Sequence, residues 1–129
     1  MLTGETQIRV RYAETDRMGL LHHANYLVFF EQARTDLLRG LGTNYRDLED
    51  QGYFLVITKV EVKYRRPAHY DDLLTIRTSV TKTSPVRLEH EYQVFGPAGE
   101  LCCTGATTLA CVNAEGKIQP MPEWLSKAK

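Results

Sequence analysis

The longest periodic pattern in the chain indicates one amphipathic helix. Apolar residues recur at intervals of three and four positions, the spacing that places them on one face of an α-helix. The members of that face are Tyr26, Phe29, Phe30, Ala33, Leu37 and Leu41. Gly40 and Gly42 follow as a helix stop. The pattern predicts a single long helix of about 16 residues, about 24 Å in length, around which the rest of the chain must pack.

Alternation of apolar and polar residues predicts five strands, at 6–12, 53–66, 73–83, 86–94 and 101–112. In the second strand, one face is expected to carry Phe54, Val56, Val60, Val62 and Tyr64. A helical turn is expected at 45–49, and the last residues, from about 119, resemble a tail. Short turns, including Ser84-Pro85 and 96–99, predict four consecutive hairpin-linked strands after the helix. The expected class is therefore α+β, with an antiparallel sheet packed on one helix.

Composition limits the possible functions. The 129 residues suffice for one domain, 1–129, and Lys plus Arg equals Asp plus Glu at 16 each. This balance gives no reason to expect a nucleic-acid partner or an acidic membrane surface. No window of 18 apolar residues and no signal pattern occur, and three cysteines without paired spacing form neither a disulfide framework nor a zinc motif. A cytoplasmic protein without metal or redox cofactor is expected.

The sheet face away from the helix is expected to be too apolar for full exposure to water. It is predicted to include Leu55, Ile57, Leu73 and Leu101. Apolar patches of this kind usually mark a contact with another protein. We therefore expect a homo-oligomer, either a dimer or a homotetramer built from dimers.

The most chemically suggestive segment is the polar loop that leads into the helix. Asp16 is the candidate nucleophile or general base, although a carboxylate followed three residues later by Gly19 also suits a simple turn. The helix begins near residues 23–26, where free amides and the positive end of the helix dipole favour a developing oxyanion. Tyr12 ends the first predicted strand on its apolar face, which is most simply explained by core packing.

The loop and helix start read Tyr12, Glu14-Thr15-Asp16, Gly19, His23 and Asn25-Tyr26, and 62–68 with Asp72 adds a second motif. This pattern resembles the hotdog-fold thioesterases, in particular the 4-hydroxybenzoyl-CoA thioesterase family and its Tol-Pal-associated acyl-CoA thioesterase branch. The resemblance implies a five-stranded antiparallel sheet wrapped around one helix, and hydrolysis of an acyl-CoA to free acid and coenzyme A. It also implies that two protomers share each active site.

Residue roles follow from the same resemblance. It implies that Asp16 is the catalytic carboxylate, that the amide near His23 polarises the carbonyl, and that Tyr12 supplies a supporting hydroxyl. Asn25 is assigned to substrate binding. Several relatives carry an aromatic residue in place of His22, so the acyl pocket need not match theirs.

Basic residues near the end of the second strand are candidates for binding the coenzyme A phosphates. They are Lys63, Arg65 and Arg66, with Arg87 elsewhere in the chain. A solvated strand face is the alternative explanation. Other polar residues are predicted to be structural: Glu31 and Arg34 as a helix ion pair, His90 as a core histidine, and Cys102 and Cys103 as buried side chains on opposite strand faces.

The sequence is also compatible with two other functions. One is a non-catalytic module that binds an acyl-CoA and senses it. The other is a hotdog dehydratase, which is disfavoured because its His-and-Gly-Pro-rich signature is missing. The sequence leaves open the acyl chain, the choice between coenzyme A and acyl carrier protein, and whether Asp16 acts as nucleophile or base.

Overall fold

A computed structural model describes residues 2–128. Its elements, in chain order, are β1 (Thr3–Arg9), a 3₁₀ turn (Tyr12–Glu14), α1 (Asn25–Arg39), α2 (Tyr45–Asp50), β2 (Phe54–Tyr64), β3 (Leu73–Thr83), β4 (Arg87–Phe95), β5 (Leu101–Val112) and α3 (Glu123–Ser126). The predicted helix, the helical turn and all five strands are present. β1 lies three residues earlier than predicted, because the chain leaves the sheet after Arg9.

The five strands form one antiparallel sheet in the order β1-β3-β4-β5-β2. β3, β4 and β5 are joined by turns as predicted. The expected hairpin between β2 and β3 is wrong, because β2 pairs with β5 at the far edge of the sheet. The connecting residues 65–72 are numerous enough to cross about 14 Å of sheet, three strand spacings, and to bring the chain to β3.

The helix α1 packs its apolar face against the sheet. Phe30 is fully buried and its ring stacks on Tyr92 with centroids 4.3 Å apart. Gly105 lies beneath the same ring, where an added Cβ would meet Phe30 Cε2 at 2.5 Å. Leu41, predicted on the buried face, is 42% exposed because the helix ends at Arg39 and Gly42 turns the chain at φ +87°.

A β-bulge at position 58 changes which side chains of β2 face the helix. The pairing with β5 shifts between Ile57 and Lys59, so the extra residue reverses the alternation. Leu55 and Val62 consequently both pack against the core on the helix side. The prediction that Phe54 and Val56 share a face with Val62 is therefore wrong. A second shift, between β4 and β5, places Cys102 in the same core cluster as Cys103, instead of on opposite faces.

The sheet face away from α1 is polar, which corrects the expectation of an apolar second face. A shallow cavity of about 390 Å³ on this face is lined by charged and polar side chains from four strands. The charged ones are Glu61, Lys63, Arg77 and Glu91. Exposed apolar residues occur instead along the β2 edge, at Val56, Ile57 and Val60.

The C-terminal segment, predicted as a tail, packs on the domain. Met121 and Leu125 are buried in a core cluster with residues of α1, α2 and β5. The side-chain amide of Gln119 also donates to the Gly52 carbonyl at 2.7 Å. Within residues 2–128, no helix is both long and apolar enough to cross a membrane.

Candidate active site

Glu14 joins the two ends of the polar loop. Its main-chain oxygen accepts hydrogen bonds from the His22 amide at 2.9 Å and from Asn25 Nδ2 at 2.8 Å. Its buried carboxylate accepts from the Arg11 amide at 2.8 Å and pairs with the Arg11 guanidinium at 3.2 Å. This role of Glu14 was not predicted from the sequence, although a glutamate three residues after the start of a turn is the capping-box spacing. The Asn25 side chain is thereby engaged in holding the loop.

Asp16 forms a tight turn at the tip of the loop. Its Oδ1 accepts from the amides of Met18 at 2.8 Å and Leu20 at 3.2 Å, and its own amide donates to the Leu20 carbonyl at 2.8 Å. Gly19 completes the turn at φ +76°. The carboxylate is nevertheless exposed, and among residues 2–128 only Oδ1 has hydrogen-bond partners. The turn therefore holds Asp16 in one orientation and leaves Oδ2 open to solvent.

His23 lies immediately before α1. Its carbonyl accepts from the Tyr64 hydroxyl at 3.0 Å, and the next amide, that of Ala24, donates to His22 Nδ1 at 3.2 Å. The His22 and His23 rings stack with centroids 4.2 Å apart, and both side chains are exposed. Within the described chain, the amide of His23 itself donates to no protein acceptor. It is therefore an available donor at the positive end of the helix.

Tyr12 was predicted to pack in the core, but its side chain lies at the surface. It begins a 3₁₀ turn, and its side chain is 78% exposed because β1 ends at Arg9 and Val10 is the last inward residue of that segment. The ring meets Tyr70 edge to face with centroids 5.6 Å apart. Tyr70 in turn donates its amide to the Gly19 carbonyl at 3.0 Å. Tyr12 thus stands at the surface on the same side as the Asp16 turn.

The basic candidates do not form one group. The amides of Arg65 and Arg66 both donate to the Cys102 carbonyl, and the chain then reaches Ala68, whose carbonyl accepts from Leu21 of the polar loop at 2.8 Å. Arg87 pairs instead with Ala110, eight strand residues from Cys102 and so about 26 Å away. Lys63 faces the polar side of the sheet. Only Arg65 and Arg66 lie close to the loop.

A buried polar network crosses the core beneath α1. Arg34 is 6% exposed and donates from Nη1 to the Tyr92 hydroxyl at 3.1 Å, and that hydroxyl lies 2.6 Å from Thr107 Oγ1. The expected helix ion pair with Glu31 is absent among the described residues, since the Arg34 side chain turns inward. His90 is buried as predicted. Its burial and the nearby Arg34 lower the pKa of His90 to about 3.

A groove of about 720 Å³ lies between α1, α2 and the edge strand β2. Leu55, Ile57 and Leu109 form its apolar wall, while Glu31 and Arg34 line it from α1. Its volume is in the range of small-molecule sites. The three cysteines take no part in it: all are buried, and burial raises the pKa of each thiol. No group of three metal-ligating side chains occurs within residues 2–128.

Comparison with known proteins identifies the family. The family model of the thioesterase-like superfamily matches residues 10–128. YneP of Bacillus subtilis is 36% identical over 130 residues, covering 96% of this chain and 94% of its own. The acyl-CoA thioesterase YbgC of Haemophilus influenzae is 36% identical over 116 residues, covering 88% and 83%. The crystal structure of a DHNA-CoA thioesterase from Staphylococcus aureus has a TM-score of 0.90 at 38% identity, covering 93% of this chain and 81% of that one.

The chain belongs to the thioesterase-like superfamily. The predicted hotdog fold is confirmed by the five-stranded antiparallel sheet around α1 and by the similarity to the staphylococcal structure. The prediction that the protein is a thioesterase is likewise confirmed at the level of the family.

Proposed function

We propose that this protein hydrolyses an acyl-CoA to the free acid and coenzyme A. The observation that carries the proposal is the loop geometry: one rigid loop presents the open carboxylate oxygen of Asp16 and ends at the free amide of His23. Relatives named acyl-CoA thioesterases support the substrate class. Within the superfamily we assign the chain to the 4-hydroxybenzoyl-CoA branch, on the loop residues Glu14-Thr15-Asp16 and Asn25-Tyr26.

In the proposed reaction, Asp16 either takes a proton from an attacking water or attacks the thioester carbonyl itself. The carbonyl oxygen becomes an oxyanion, which accepts a hydrogen bond from the His23 amide and is further stabilised by the dipole of α1. Collapse breaks the carbon–sulfur bond and releases the coenzyme A thiolate, a good leaving group that needs no strong acid. When water attacks, this step gives the free acid directly. When Asp16 attacks, it gives a mixed anhydride, which a water molecule then hydrolyses to the free acid and the restored Asp16 carboxylate. Tyr12 is the proposed supporting hydroxyl, exposed on the side of the Asp16 turn.

Coenzyme A binding is assigned to the residues nearest the loop. Arg65 and Arg66 are exposed and follow β2 directly, so their guanidinium groups are available for the nucleotide phosphates. Lys63 and Arg87 are weaker candidates, because they lie on the polar sheet face and at the opposite end of β4. Asn25 contributes by holding the loop closed and not through its engaged amide nitrogen.

The proposed assembly is a dimer paired along the β2 edge. This edge is eleven residues long, unpaired within the described chain, and carries Val56, Ile57 and Val60. Antiparallel pairing about its middle would bring the Tyr64 end of one copy beside the Leu55 end of the other. The groove lined by Leu55 and Ile57 would then face the partner's His23 and serve as its acyl pocket. Each site would need both copies, as the resemblance implies.

A thiol-release screen tests the proposal. Wild-type protein is incubated with short, long and aromatic acyl-CoAs, and free thiol is measured with time. We expect turnover of at least one substrate, and Asp16→Asn should lower it by about 10²–10⁴-fold with folding retained, because the amide oxygen can still accept the turn's hydrogen bonds. Asp50→Asn, at the exposed end of α2, is the matched control.

Each alternative has its own outcome in the same screen. Binding of acyl-CoAs without thiol release would favour a sensing module. Loss of a 3-hydroxyacyl-CoA without thiol release would favour a dehydratase. Full activity in a folded Asp16→Asn protein would leave hydrolysis in place and remove Asp16 from the mechanism.

A further inference from the structure

Two successive peptide units before α1 are held almost completely by hydrogen bonds. In the first, which joins His22 to His23, the carbonyl oxygen accepts from the Asn25 amide at 2.9 Å. In the second, which joins His23 to Ala24, the oxygen accepts from Tyr64 and the amide donates to His22 Nδ1. Three of the four polar groups therefore have partners, and the fourth is the His23 amide.

Packing holds the Tyr64 side chain in position to donate its hydroxyl hydrogen bond to the His23 carbonyl. Its ring packs edge to face on the buried Tyr26 with centroids 5.3 Å apart. A tyrosine hydroxyl is protonated at neutral pH and can donate, and partial burial raises the pKa of Tyr64 further above its ordinary value. Because Tyr64 is the last residue of β2, its hydrogen bond connects the sheet to the start of α1. No side chain caps this helix start, where Ala24 is the N-cap residue.

His22 makes the other hydrogen bond to the second peptide, because its Nδ1 accepts from the Ala24 amide. An Nδ1 atom that accepts a hydrogen bond carries no proton, so the neutral ring holds its proton on Nε2 in this arrangement. The contact spans two residues, as in the turns that asparagine side chains form with the backbone. His22 is therefore tied to the geometry of the backbone, in addition to stacking on His23.

We propose that Tyr64 and His22 are positioning residues, which fix the peptide after His23 and so aim the His23 amide at the developing oxyanion. This inference rests on the proposed hydrolysis and assigns to it two residues that act through the backbone. A donor fixed in advance stabilises the transition state without reorganisation. Loss of either restraint lets the His23–Ala24 peptide rotate. That rotation displaces the adjoining His23 amide, which lowers kcat much more than it weakens substrate binding.

Removal of one hydroxyl group tests the role of Tyr64. Tyr64→Phe keeps the ring against Tyr26 and deletes only the donor. We expect kcat to fall about tenfold while KM changes less than about twofold. Tyr53→Phe is the control, since that residue immediately precedes β2 and its hydroxyl has no hydrogen bond within residues 2–128. A kcat within twofold of wild type for Tyr64→Phe overturns the proposal.

Two substitutions test His22. Asparagine can accept from the amide two residues later, whereas alanine cannot. We expect His22→Ala to lower kcat about tenfold and His22→Asn to recover most of that loss. Equal kcat in the two variants would remove His22 from the proposal, because it would show that the acceptor has no effect.

Amide hydrogen exchange separates this proposal from the proposed function. In Tyr64→Phe and His22→Ala, the Ala24 amide should exchange at least about tenfold faster than in wild type, while amides in the centre of β4 stay unchanged. This readout needs no substrate. An active wild-type enzyme with unchanged exchange in both variants would overturn the positioning role alone, and a wild type inactive on every thioester would overturn the function and with it the catalytic part of this inference.

Discussion

Arg34 of α1 donates from Nη1 to the hydroxyl of Tyr92 in β4 at 3.1 Å, and both side chains are buried between the helix and the sheet. The same hydroxyl lies 2.6 Å from Thr107 Oγ1, so one phenol oxygen serves a charged donor from the helix and a polar group from β5. Tyr92 is thereby the only described residue that connects the buried cation to the sheet by a side-chain hydrogen bond.

Tyr92→Phe should destabilise the fold by about 1–3 kcal/mol, because it leaves the Arg34 guanidinium and the Thr107 hydroxyl without that partner. Urea unfolding followed by circular dichroism measures the free energy. Tyr53→Phe removes a hydroxyl that makes no hydrogen bond in the described chain and should change stability by less than about 0.5 kcal/mol. Equal effects of the two substitutions would show that the network adds nothing to stability.

His90 should make the protein less stable in mild acid. Burial, with a smaller effect of Arg34, lowers its pKa to about 3 from the ordinary 6.5. Between these values the unfolded chain binds a proton that the native protein does not. Stability is therefore lost as the pH falls from about 6.5 towards 3, by at most about 1.4 kcal/mol per pH unit from this residue.

His90→Leu removes that contribution. Unfolding free energies at pH 7, 5.5 and 4.5 should fall less steeply for the variant than for wild type. The remaining slope comes from the other titratable groups, which are common to both proteins. Parallel curves would show that His90 keeps an ordinary pKa in the native protein.

The sequence predicted the elements well because their patterns are local. The helix face and β5 follow from short-range periodicity, and β5 was predicted at 101–112 as observed. The position of β2 could not be predicted, because the pairing with β5 depends on a crossing connection and no local signal marks it. The bulge at Thr58 was also missed, since one extra residue reverses the alternation without altering the composition of the strand.

Gly105→Ala should destabilise the protein by about 1–3 kcal/mol. The added methyl group would meet the Phe30 ring at 2.5 Å, and that ring already stacks on Tyr92 of β4 with centroids 4.3 Å apart. Thermal unfolding measures the change. Thr104→Ala, one position earlier and on the other sheet face, is the control and should be nearly neutral. No change in Gly105→Ala would mean that α1 can move away from the sheet at little cost.

Reversal of Arg65 and Arg66 to Glu should raise KM for an acyl-CoA about tenfold or more, because both guanidinium groups are proposed to contact nucleotide phosphates. An acyl-pantetheine, which lacks those phosphates, should show no such increase. Added salt should reduce the acyl-CoA penalty by screening. Arg87→Glu is the comparison, since Arg87 lies about 26 Å from the Cys102 contact. An equal penalty on both substrates would place the arginines outside coenzyme A binding.

Val60→Lys should shift the protein towards monomers, because a lysine in the middle of the β2 edge opposes pairing with a second copy. Sedimentation velocity over a range of concentrations measures this shift. Gln93→Lys places the same charge on the polar sheet face and serves as control. If both variants sediment as wild type does, the copies do not associate along β2.

The geometry of the candidate site could be predicted from the sequence only in part. The positions of Asp16 and His23 followed from a contiguous motif, and the structure keeps them in one loop. The partners that hold the loop were missed, because Tyr64 lies 41 residues from His23 in sequence and meets it only through the return of β2. Tyr12 was expected in the core because alternation was extended past Arg9, where the backbone turns instead.

The sheet order leaves a different strand at each margin, β1 on one side and β2 on the other. β1 has seven residues against eleven in β2, and a short edge strand discourages strand addition. If β2 of one copy joined β1 of the next, growth would be head to tail and would have no natural end. Self-pairing of β2 would use the same margin twice and leave only the two short β1 strands outside. In the proposed dimer, the order of strands would therefore limit association to a closed pair and prevent an open-ended filament.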